Sequence, residues 1–128
     1  LTEPSFAPRV RDLVERDPEA TRADFELLNF GRHVRLDERT KVAVGRNAQE
    51  NAAIRAIYQQ HATPRWAFLE PEGFAGPCAL AAGRIDEAAL RAAAGLVLRY
   101  ARAGQDQPAT VSVLHADQRR TLTVLREG

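Results

Sequence analysis

Arg32, His33, Arg35, Lys41 and Arg46 lie close together in the sequence, and basic side chains gathered in this way have one obvious chemistry, the neutralisation of phosphates. Arginine adds a planar fork that meets two phosphate oxygens at once. Directly after them runs Gly45-Arg46-Asn47-Ala48-Gln49-Glu50-Asn51, which reads as a strand passing through a tight turn into a helix N-terminus. Gly45 has no Cβ, so the backbone can bend sharply there and another molecule can come close. The first amides of the helix have no partners within it and, with the positive end of the helix dipole, favour an anion. Asn47 with Glu50 three positions on is also a capping box, which satisfies those amides internally and puts a carboxylate where a phosphate would sit. On the residues alone the cap is the stronger reading of the two.

Other chemistry is thinly supplied. His33, His61 and His115 fall in different elements without metal-ligand spacing, and no nucleophile elbow, Walker loop or dinucleotide fingerprint occurs. Cys78, the single cysteine, stands among small residues and reads as a core filler rather than a nucleophile. Phe74, in a loop rich in Pro and Gly, reads as a lid over the core before it reads as a base-stacking ring.

The elements that would position these groups follow from periodicity. Phe6, Val10, Leu13 and Val14 form a helical stripe over residues 5–16, and Thr21 with Asp24 opens a short helical segment that Gly31 closes. From residue 33 the period becomes two. Val34 and Leu36 face one way and His33 and Arg35 the other, and after the turn at residues 37–39 Val42 and Val44 answer them. This hairpin is expected to present His33, Arg35 and Lys41 on its polar face with Arg32 and Arg46 flanking, although a solvated strand face explains the same pattern. Helices are expected over residues 48–61 and 87–103, the second capped by Asp86, and strands over 66–69, 78–82, 110–114 and 121–125. The fold class is therefore α+β: a largely antiparallel, mixed sheet of about six strands in the order ββαββαββ, with two main helices on one face and an N-terminal helix.

With 128 residues, 45% apolar and 27% charged, the chain has the make-up of one globular domain. A net charge of +1 excludes a broadly basic surface, so contact with nucleic acid must rest on a local patch. One cysteine excludes an intrachain disulfide and fits a cytoplasmic setting, and no apolar run is long enough to span a bilayer. The sequence opens at Leu1 without methionine and is read as a segment of a longer polypeptide.

At Gly31-Arg32-His33-Val34-Arg35-Leu36 and Val44-Gly45-Arg46-Asn47-Ala48-Gln49-Glu50-Asn51 the chain resembles the RNA-binding NFACT-R domain. It is similar in particular to the variant at the C-terminus of ThiI-like and MnmA-like PP-loop ATPases, proteins of tRNA thiolation or methyl transfer. Gly76-Pro77, the helix with Ala92-Ala93-Ala94 and Tyr100, and the leading residues 1–9 carry weaker likeness. The resemblance implies an N-terminal helix and connecting segment over residues 1–30 and an RNA-binding domain over 31–128. It also implies a partner in tRNA or another structured RNA, and Arg32, His33, Arg35, Lys41, Gly45, Arg46, Asn47 and Asn51 as its contacts. No cofactor is expected in this segment. ATP would belong to the ATPase domain of a parent tRNA-modifying transferase, which would also be a partner. The alternative is a protein-interaction or dimerisation module without RNA contact, built on residues 25–30.

Overall fold

The structure, a computed structural model, describes residues 6–101 and 108–125. Two N-terminal helices, α1 (Phe6–Arg16) and α2 (Arg22–Leu27), precede the hairpin β1 (Arg32–Arg35) and β2 (Thr40–Val44). Helix α3 (Ala48–His61) leads to the pair β3 (Trp66–Glu72) and β4 (Ala79–Gly83), and helix α4 (Glu87–Arg99) leads to β5 (Ala109–His115) and β6 (Gln118–Val124). The six strands form one sheet in the order β1-β2-β4-β3-β5-β6. The expected α+β class and strand order along the chain hold, and every neighbouring pair is antiparallel, so the sheet is not mixed.

The helices do not share one face, which corrects the expectation above. In β3, Trp66 and Phe68 point to the side of α3, where they pack with Ile54, Ile57, Tyr58 and Leu27. Their neighbours Ala67 and Leu69 point to the side of α4 and pack with Leu90, Ala93, Ala94 and Val97. A strand without a polar residue at alternate positions has no face for water, and a helix must cover each side. Ala79 and Ala81 beneath Ala93 and Ala94 leave no bulk between β4 and α4, so helix and sheet pack closely.

Two strand boundaries differ from expectation for local reasons. Strand β3 runs on through Pro71, where a break was expected, because β4 pairs with it only as far as Leu69 and the missing amide faces no partner there. The turn between β5 and β6 is the two residues Ala116 and Asp117, both at positive φ (51° and 64°), where a longer polar turn over residues 116–120 was expected. Ala-Asp lacks the Asn-Gly signature of such a turn. The helix expected over 87–103 reaches Arg99, and its last positions fall partly outside the described residues.

Helices α1 and α2 lie over the α3 side of the β1–β2 hairpin. Leu13 and Leu27 are fully buried. Asp24, 1% exposed, accepts from the Thr21 amide at 2.7 Å, from Arg65 Nη2 at 3.2 Å and from the Trp66 indole at 3.0 Å, tying α2 to β3. Leu28 is buried too, so the segment suggested for dimerisation turns its leucines inward and exposes Phe25. No helix among the described residues is long and apolar enough to cross a membrane.

Candidate nucleic-acid interface

The residues expected to make one cationic face divide into three settings. Strand register decides the first division. His33 pairs with Ala43 and Arg35 with Lys41, whereas Arg32 pairs with Val44 and so stands on the opposite side of the sheet. Helix α1 then covers the His33, Arg35 and Lys41 side. Arg35 is ion-paired to Asp12 of α1, and Lys41 is only 5% exposed. His33 Nε2 lies 3.0 Å from the Phe30 carbonyl, which can only accept, so the ring hydrogen is on Nε2. Burial, with the charges of Lys41 and Arg9, holds His33 down to about 3, and the ring is neutral. Burial and the charge of Arg35 bring Lys41 down to about 8. Lys41 is buried and His33 and Arg35 are half-buried under α1, so the three do not make an open, solvent-facing strand surface.

The turn after β2 is closed by its own side chains. Asn47 caps α3 by accepting the Glu50 amide at 2.9 Å, as the sequence suggested. Glu50 in turn accepts from the Arg46 amide at 3.0 Å and from Arg46 Nε and Nη2 at 2.9 and 2.8 Å. This charged fork holds Glu50 down to about 2, helped by the Gly31 amide. A carboxylate thus fills the place an incoming phosphate would take. The close approach that Gly45 permits is also internal: a Cβ there would lie 1.9 Å from Asn51 Oδ1. Asn51 Oδ1 accepts the Cys78 amide at 3.2 Å, and the Gly45 amide donates to the Cys78 carbonyl at 3.1 Å, so this glycine joins β2, α3 and the entry to β4. Burial pushes the Cys78 thiol up to about 12, as fits a core filler.

The third setting is a rim on the α4 side. The Arg32 guanidinium lies 4.7 Å from the centre of the Tyr100 ring, and Arg99 lies 5.8 Å from it. Tyr100 is 36% exposed and Arg32 is exposed. Arg46 stands nearby in the chain of contacts, because Glu50 joins it to Gly31, the residue before Arg32. A ring edged by guanidinium groups can stack on a base while the cations meet phosphates. Tyr100 was absent from the expected contacts. Its signal was available, an aromatic beside Arg99 at the end of a helix with its apolar stripe elsewhere. Phe74, by contrast, packs against the core on the α4 side, as a lid does.

The chain is similar in structure to the C-terminal part of the fibronectin/fibrinogen-binding protein from Streptococcus suis, with a TM-score of 0.59 at 15% sequence identity. That likeness covers 98% of this chain and 59% of the other, and it is one of fold. No curated protein matches the sequence. The model of the NFACT protein RNA binding domain matches residues 31–126, which span the whole sheet, α3 and α4. By that match the chain belongs to the NFACT RNA-binding domain family.

Proposed function

We propose that this chain is an RNA-binding accessory module that holds structured RNA of the tRNA class for a PP-loop ATPase domain in the same cytoplasmic polypeptide. ATP and the thiolation or methyl-transfer chemistry belong to that parent domain. Family membership supports RNA as the partner, and the sequence likeness around residues 31–36 and 44–51 supports the parent. The observation that carries the reading is Arg32 stacked over the exposed Tyr100 ring. Of the expected contacts, this reading keeps Arg32, beside Tyr100, and Arg46 as those that meet RNA. Gly45, Asn47 and Asn51 shape the turn that presents them. Contact of this kind is made to backbone and unstacked bases, so affinity falls as salt rises.

The test is a titration of labelled tRNA into the chain at two salt concentrations, against Arg32→Ala/Tyr100→Ala. Weakening of about tenfold with a shallower salt dependence is expected from losing one stacked ring and one phosphate contact. Equal binding by the two proteins at both salts would remove the interface.

A further inference from the structure

Between α1 and the β1–β2 hairpin lies a cleft of about 190 Å3 lined by Pro8, Arg9, Asp12, His33, Arg35 and Lys41. From this site, on the opposite side of the sheet from the Arg32–Tyr100 rim, we infer that the chain binds a phosphate group, with the Lys41 ammonium as its principal ligand. The inference does not depend on the RNA reading above.

Four observations carry it. The Lys41 side chain is 5% exposed, and among the described residues its ammonium makes no hydrogen bond or ion pair. Its Nζ is not among the buried unpaired side-chain atoms of the described residues, which are His33 Nδ1 and Arg35 Nε, so the ammonium opens onto the cleft, where an incoming anion can meet it. Second, the nearby carboxylates are already engaged: Asp12 by Arg35, Asp17 by Arg65, and Asp24 by Arg65, Trp66 and Thr21. Lys41 is left without a carboxylate of its own, and among the described residues Arg9 beside it donates only to the Leu28 carbonyl. Third, the cleft holds three cationic side chains, those of Arg9, Arg35 and Lys41, against the one carboxylate of Asp12. Burial holds His33 neutral, so it adds neither charge. Fourth, the space is far larger than one water needs and accommodates a tetrahedral oxyanion. A compact ammonium suits such an anion as a point charge, and the flanking guanidinium groups supply directed donors.

A phosphate group reaches such a cleft as a free phosphate or as the end of an RNA chain. Thermal unfolding of the chain is followed with inorganic phosphate, with a 5′-phosphorylated oligoribonucleotide and with its 5′-hydroxyl counterpart, each against chloride of equal ionic strength. A rise of several degrees with phosphate is expected at concentrations well above the dissociation constant. Lys41→Met, which keeps the volume and removes the charge, is expected to melt no lower than wild type without ligand and to lose the rise. A rise with free phosphate assigns that source. A rise confined to the 5′-phosphorylated oligonucleotide assigns the RNA end.

No rise beyond chloride with inorganic phosphate together with equal rises, or none, from the 5′-phosphorylated and 5′-hydroxyl oligonucleotides, or an undiminished rise in Lys41→Met, overturns the inference. Should Lys41→Met fail to fold, reductive methylation of Lys41 in the wild-type chain decides, read by mass spectrometry. Protection by phosphate but not by chloride supports the site, and equal labelling in both overturns it. Loss of tRNA affinity in Arg32→Ala/Tyr100→Ala with the phosphate shift intact would separate this site from the rim.

Discussion

The inner face of the β1–β2 hairpin and its rim beside α4 use the same residue types to unlike ends. On the inner face Arg35 is committed to Asp12, His33 is neutral and Lys41 is largely covered by α1, meeting water only in the cleft beside it. At the rim Arg32 lies over an aromatic ring that water reaches. The strand sequence is basic on both sides, so the difference comes from what covers each. Charge in a sequence becomes a surface only where no later or earlier element folds over it. Substitutions that break the buried network on the covered side should therefore register in stability, and those on the rim in RNA binding.

The largest expected effect is on the covered side. Asp24→Ala strands the Trp66 indole and Arg65 and releases α2 from β3, and a loss of about 3 kcal/mol in denaturant unfolding is expected from breaking a buried charged network. A loss under 1 kcal/mol would mean that α2 contributes little to the cover. Acid titration comes next. His33 is held at about 3 in the folded chain against an ordinary value of 6.5, so the unfolded chain takes up the proton first. The stability is therefore fully present above 6.5 and falls as pH drops toward 3, by up to about 1.4 kcal/mol per pH unit. From 6.5 down to about pH 5 ordinary carboxylates stay ionised, and His33→Gln should flatten that part of the curve. An unchanged slope would place the proton uptake elsewhere.

Rim substitutions should behave in the opposite way. Arg32→Ala/Tyr100→Ala is expected to shift stability by no more than about 1 kcal/mol while weakening RNA, and a larger stability loss would blur the distinction. The smallest effect is Arg46→Ala. It removes one exposed ion pair and leaves the Asn47 cap, so about 0.5 kcal/mol is expected by thermal unfolding, and Glu50 should titrate nearer its ordinary value of 4.5 by NMR.

Much of this was readable from the chain. Asn47, Glu50 and Asp86 announced their helix starts, because a cap is a contact over three residues and needs no tertiary information. The period of two in the hairpin correctly set Val34 apart from His33 and Arg35. The same parity puts Arg32 with Val34, so its placement on the far side was legible and a single cationic face was never available. Trp66-Ala67-Phe68-Leu69, with no polar residue, also announced two covered faces. The burial of Lys41 could not be read in this way. It depends on Asp12 and Leu13, far away in sequence, docking on a hairpin whose own pattern suits water equally well.

One consequence concerns where the domain may be cut. The family match begins at residue 31, yet Leu13, Ala23, Asp24, Leu27 and Leu28, all before it, are buried. An expression clone trimmed to the matched span would expose the Trp66 indole edge and uncap Lys41 and His33 together. Such a fragment is expected to self-associate through its bared sheet, and any failure to hold RNA would then report on solubility rather than recognition.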